Sequence, residues 1–154
     1  MEQKFLSGDS KVIAVDFDGT IVEHKHPAIG KEMLFAFATL KALQKKGHKL
    51  ILWTIRTGPL LDEAVEFCKK NGIDFYAVNK NYPEEELTEK TARKVNADVF
   101  IDDRAIGGFI GWSEVWQTLH PEGGEFSHQL KNSEAHHNYK KTEGSIFKKI
   151  FGSK

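Results

Sequence analysis

The chain has 154 residues, 40% of them apolar and 29% charged, and its 22 basic and 22 acidic side chains leave a net charge of zero. That length and apolar content suit one globular domain with a sizeable core, and the charge balance excludes a global field that would draw the chain to nucleic acid or a membrane surface. The single cysteine, Cys68, excludes an intrachain disulfide and fits a reducing compartment. No apolar run is long enough to span a membrane. The start, Met1 to Ser10, lacks the apolar core of a signal peptide, so the expected location is cytoplasmic.

Taken in chain order, Lys11 to Asp16 reads as a buried strand, because four apolar residues run together in Val12-Ile13-Ala14-Val15. A helix is expected from about Lys31 to Lys46, with Met33, Ala36, Phe37, Leu40 and Leu43 on one face and Gly47 as a left-handed cap. Lys49 to Thr54 is a second apolar strand. Pro59 opens a helix that ends by Gly72, and it places Cys68 on an apolar face with Leu61, Ala64 and Val65, as a structural thiol. A short strand follows at Phe75 to Val78. Pro83 and three glutamates then favour a helix start, and that helix, broken near Thr88, should reach about Asn96. Val99 to Asp102 is the last strand, and a final helix from Ser113 holds Val115, Trp116 and Leu119.

Alternating strands and helices argue for an α/β fold, a three-layer doubly wound parallel sheet with helices on both faces. The first strand should lie centrally, beside the crevice where the winding reverses. The folded core is expected over residues 1–120. Residues 121–154 form a polar tail with six Lys and four acids, leaving 16 basic and 18 acidic groups in the core. Ser145 to Ser153 could form a short amphipathic helix with Ile146, Phe147, Ile150 and Phe151 on its apolar stripe. Too short to be stable alone, it should dock on its own core or on a neighbour, which makes the tail a candidate for self-association.

The chemistry concentrates at the strand ends. The first strand runs into Asp16-Phe17-Asp18-Gly19-Thr20. Two carboxylates there are costly to desolvate unless a cation or a hydrogen-bond network compensates, which points to a metal and an anionic substrate. The second strand ends in Thr54, with Arg56 two residues on, and a guanidinium can grip phosphate oxygens bidentately. The last strand ends in Asp102-Asp103. His24 and His26 share a side at i and i+2, and Asn79 and Asn81 follow the third strand. The His pair can bind zinc or reach a substrate, and the two Asn lie near the expected mouth, although His is often merely exposed and Asn is a turn residue. Gly107-Gly108 allow a tight backbone passage after Asp103, and His136 and His137 in the tail read as solvated.

In chain order, Asp16-Phe17-Asp18-Gly19-Thr20, Thr54 and Asp102-Asp103 resemble the motifs of the haloacid dehalogenase-like hydrolases, over roughly Lys11 to Leu119. The resemblance implies an aspartyl-phosphate mechanism, with Asp16 as nucleophile and Asp18 as general acid and base. It implies that Thr54 hydrogen-bonds the transferring phosphoryl group, while Gly19, Thr20 and Arg56 line the substrate. Lys94 is the best match for the basic residue that holds nucleophile and phosphate together, ahead of Lys90 and Arg93. The implied cofactor is Mg2+, on Asp16, the backbone carbonyl of Asp18 and Asp102, with Asp103 binding a metal water or orienting the loop.

Many relatives in that superfamily insert a cap domain. Here Thr20 to Lys31 leaves room for a small flap, and Val78 to Lys94 for a loop and a helix. The site should therefore be open. The resemblance then implies a phosphatase for a phosphorylated small molecule or a larger ester, including a bulky, nucleotide or polynucleotide phosphate. Charge gives nucleic acid no support as a partner, and no membrane is implied. The alternatives are a non-catalytic phosphoryl-binding or interaction module, or another reaction on the same fold, such as phosphotransfer.

Overall fold

The computed structural model describes residues 10–123 and 126–127. The segment before Ser10, the helix expected at 145–153 and His136 and His137 lie outside the described residues. The chain divides into two compact units, Met1–Pro121 and Glu122–Lys154, and every strand and helix named below belongs to the first.

The strands are β1 (Val12–Val15), β2 (Lys49–Leu52), β3 (Ala77–Val78) and β4 (Val99–Ile101), and the helices are α1 (Ala36–Lys45), α2 (Gly58–Lys70) and α3 (Trp112–Leu119). They form an α/β fold around one all-parallel sheet in the order β3-β2-β1-β4. β1 is central, where the crevice of a doubly wound sheet is expected. Its register pairs Ala14 with Ile51 on one side and with Phe100 on the other. Strands buried on both faces read as unbroken apolar runs. Ile13, Val15, Leu50, Ile51 and Leu52 are accordingly buried.

The connections through α1 and α2 step the chain in one direction across the sheet, and right-handed crossovers then place both helices on the same face. Their contact shows it: the Phe37 and Phe67 rings lie 5.8 Å apart. α3 packs against α1. On the other face, Ala14, Ile51 and Ala77 pack with Val95, flanked by Trp53, Tyr76 and Ala97.

Val95 arrives there on irregular backbone. The helix expected between Glu84 and Asn96 does not form. That stretch has no apolar stripe, since Leu87 is 64% exposed and Val95 alone is buried. Its polar side chains bind backbone locally instead. The Glu85 carboxylate accepts from the Asn81 amide and side chain, the Thr91 hydroxyl accepts from the Thr88 amide, and the Thr88 hydroxyl accepts from the Lys90 amide. α1 also begins five residues later than its periodicity predicts. Residues 31–33 pair with the flap, through the Glu23 amide on the Lys31 carbonyl and the Met33 amide on the Ile21 carbonyl, and Phe35 has a left-handed φ of 63°.

At the end of the sheet away from the strand tips, the Lys11 amide donates to His48 Nδ1 at 3.0 Å, and His48 Nε2 lies 3.0 Å from His120 Nε2. An Nδ1 that accepts leaves the neutral ring's proton on Nε2, so His48 donates to His120. The pair joins the start of β2 to the end of α3, under the Trp116 ring at 4.5 Å from His120. Burial, helped by His120, Lys11 and Lys46, holds the His48 pKa below its usual 6.5.

Candidate active site

Past β1, Phe17 is fully buried with its ring edge-on to Phe67 at 6.2 Å, while Asp16 and Asp18 on either side of it line an open cleft of about 230 Å3. This is the alternation that extended backbone imposes. Trp53, Thr54 and Ile55 beyond β2, Asp102 and Arg104 beyond β4, and His24 and His26 from the flap complete the lining. The cleft thus opens at the carboxyl ends of three neighbouring parallel strands, flanking the central strand.

Asp16, Asp102 and Asp103 each offer a carboxylate oxygen, and the three oxygens lie within 4.8 Å of one another. Thr20 Oγ1 donates to Asp16 Oδ2 at 3.2 Å. Burial above all pushes the Asp16 carboxyl up from 3.8 to about 7; the charges of Asp102 and Asp103 add to this, and the Phe17 amide and Thr20 hydroxyl oppose it. Asp103 reaches the cluster because residue 19 is glycine. Gly19 has a φ of +86°, and a Cβ there would run into the Asp103 carboxylate. Asp102 Oδ1 accepts the Arg104 amide at 2.7 Å, which fixes its orientation at the strand tip.

Thr54 stands at the tip of β2 with its amide donating to Asn79 Oδ1 at 2.8 Å, and its hydroxyl accepts the Arg56 amide at 3.2 Å. The hydroxyl hydrogen is left to point elsewhere. Asn79 therefore braces the strand end instead of lining the cleft, in the left-handed conformation that Asn tolerates, with a φ of 52°. Asn81 is held in the same way, its Oδ1 accepting the Asn96 amide at 2.6 Å.

Arg56 does not face a ligand. It is 1% exposed, and its Nε and Nη2 both donate to Asp18, at 2.7 Å each. Nη1 donates to the Pro27 carbonyl and Nη2 also to the Ala28 carbonyl, both at 2.9 Å. Its guanidinium lies 5.0 Å from the centre of the Phe17 ring. The residue expected to grip phosphate is instead a buried clamp between the flap and Asp18, and a charge that deep needs such a partner. Thr20, also expected at the ligand, is fully buried; its hydroxyl is spent on Asp16, and its carbonyl accepts the Trp112 indole N–H at 2.8 Å.

Lys94 is exposed, with Nζ 5.0 Å from the centre of the Phe100 ring, and does not line the cleft. Neither do Lys90 and Arg93, because the helix that would have carried all three past the strand tips is absent. The cationic lining comes from Arg104, with His24 and His26 as further donors. Sequence reasoning passed over Arg104 and Trp53, although each adjoins a residue singled out at a strand tip.

No family model matches the sequence, and no curated protein matches it. Among solved structures, the chain is similar to a conserved protein coded by a locus of Bacteroides thetaiotaomicron, with 51% identity and a TM-score of 0.70. The match covers 75% of this chain and 94% of that one. At half identity over nearly the whole of that protein, the chain belongs to the same family as the conserved Bacteroides thetaiotaomicron protein.

Proposed function

We propose that the protein is a magnesium-dependent phosphatase of the haloacid dehalogenase-like type, without a large cap domain. The observation that carries this reading is the convergence of Asp16, Asp102 and Asp103 from two adjacent strand ends, in a cleft that also holds Asp18 and Thr54. The parallel sheet with β1 at its centre supports a three-layer core of that type, with the irregular 79–98 crossover in place of a second helical layer. The buried thiol of Cys68, pushed up to about 12 by burial, is inert and accords with a cytoplasmic enzyme.

Mutually repelling carboxylates, all offering hard oxygen atoms, fit a magnesium ion, with Asp16 and Asp102 as ligands and Asp103 beside them. Bound there, the ion would neutralise the acids and draw a phosphate into a cleft of like charge. The chain's own groups do the rest. An Asp16 oxygen attacks phosphorus, the ester P–O bond breaks, and the leaving oxygen takes a proton from Asp18. Water then attacks the phosphorus, giving its proton to Asp18, and the bond to Asp16 breaks to release phosphate. The Thr54 hydroxyl and Arg104 are placed to hold the phosphoryl oxygens.

Both Asp18 oxygens face Arg56, so acid duty requires one of them to turn away from the guanidinium. That clamp favours a second reading, a phosphoryl-binding module in which Asp18 is purely structural. Hydrolysis of p-nitrophenyl phosphate with and without magnesium decides between them. Magnesium-dependent turnover that is lost in Asp16→Asn supports the phosphatase. Tight binding of phosphate without turnover supports the module.

A further inference from the structure

A second hollow, of about 580 Å3, adjoins the carboxylate cleft, and Trp53 and Thr54 line both. Its far wall is the irregular crossover, with Leu87, Thr88, Glu89, Thr91, Ala92 and Arg93. It is large enough for a nucleoside-sized group. The larger hollow shares its threshold with the cleft, so the body of an ester whose phosphate sits at Thr54 has a direct way into it.

The chemistry of the walls narrows what that body is. Thr88 Oγ1 and Thr91 Oγ1 lie 3.2 Å apart and accept the Lys90 and Thr88 amides, at 3.3 and 2.9 Å, so one hydroxyl hydrogen of the pair stays tied to the other oxygen. The Asn79 side-chain oxygen is committed to the Thr54 amide. Beside its polar groups the hollow offers flat and apolar surface. Trp53 is half-buried, its indole steadied against the sheet cluster, and Leu87 is 64% exposed. Arg93 lies on the same wall, and its side chain ends in a planar guanidinium. Indole, isobutyl and guanidinium surfaces together suit a flat heteroaromatic ring.

We infer that this hollow is the leaving-group subsite and that the substrate is a nucleoside monophosphate, its phosphate at the carboxylate cluster and its base against Trp53 and Leu87. The inference rests on the phosphatase reading for the placement of the phosphate.

The test compares adenosine 5′-monophosphate with ribose 5-phosphate, which share phosphate and sugar and differ by the base. Isothermal titration into full-length Asp16→Asn protein, with magnesium present, measures binding without turnover. The nucleotide should bind at least tenfold more tightly. Leu87→Asp, at an exposed position that leaves the core intact, should shrink that preference to threefold or less. Equal affinities, no binding of either compound, or a preference untouched by Leu87→Asp overturns the subsite. Failure of the phosphatase reading shows separately. Preferred nucleotide binding without hydrolysis of any ester by the wild-type protein defeats the enzyme and keeps the subsite, whereas hydrolysis with equal affinities defeats the subsite alone.

Discussion

Asp16→Asn probes how the fold bears its cluster of acids. Asn keeps the size of the side chain and an oxygen for the Thr20 hydroxyl, and removes the charge. In the metal-free protein the Asp16 carboxyl titrates near 7, against 3.8 in its ordinary state. The folded protein thus holds this proton more tightly than the unfolded chain. Its stability is greatest when Asp16 is protonated, falls as pH rises from 3.8 through about 7, and stays low above that. At ~1.4 kcal/mol per pH unit, the interval from 3.8 to about 7 corresponds to about 4 kcal/mol. Relaxation of an open cleft reduces the expected cost to roughly 2–4 kcal/mol. Asp16→Asn escapes it. Urea denaturation without magnesium should show the variant more stable than wild type at pH 8, with a gap about 2 kcal/mol wider than at pH 5. Magnesium at ten times its dissociation constant should then return about 1.4 kcal/mol to the wild type and much less to the variant. A variant less stable than wild type at pH 8 without magnesium, or a gap that ignores pH, would refute this account of the cluster.

Arg56→Met leaves Asp18 buried without its partner and the Pro27 and Ala28 carbonyls without their donor, so unfolding stability should drop by about 3–5 kcal/mol. Adding Asp18→Asn to that variant should recover part of the loss; if the two losses simply add, the pair is not the source. His48 gives the opposite pH dependence to Asp16. Its folded pKa lies below 6.5, so the unfolded chain takes up the proton first, and stability is full above 6.5 and lost as pH falls toward the folded value. In the Asp16→Asn background, the urea midpoint should fall between pH 7.5 and pH 5. His48→Asn should flatten that fall, and an unchanged slope would place the proton uptake elsewhere.

The strands were legible because each is an apolar run bounded by polar residues, and a parallel sheet buried on both faces needs that pattern. Runs of four apolar residues at β1 and three at β2 mark both as strands buried on two faces, and the sheet places β1 between β2 and β4. The carboxylates could be found for a related reason: several acids gathered at the ends of apolar runs are costly to desolvate without a compensating partner. Arg56 shows where such reasoning stops. From its place in the chain it is a loop cation two residues past a strand. Only the folded flap reveals that Pro27 and Ala28 bring carbonyls to it, and that Asp18 faces it across the turn. The missing helix at 84–96 failed for a local reason. Three glutamates after a proline do favour a helix start, but with no apolar face to bury, Glu85, Thr88 and Thr91 found better partners in the nearby backbone.

These two departures shape the site. Where a helix would have closed the crossover over the sheet, irregular backbone leaves a hollow beside Trp53. Where a free arginine would have reached into the cleft, Arg56 ties Asp18 to the flap and leaves Arg104, His24 and His26 as the polar rim. The tip of β2 thereby serves two sides: Thr54 presents its hydroxyl to the cleft, while Arg56, two residues on, is drawn into the interior. A shift of the flap that withdrew the Pro27 and Ala28 carbonyls would leave two guanidinium donors unsatisfied, and the guanidinium could follow the flap only by loosening its hold on Asp18. The position of the flap and the freedom of Asp18 are therefore one mechanical variable, and flap residues far from the carboxylate cluster can govern how readily Asp18 turns away from the guanidinium.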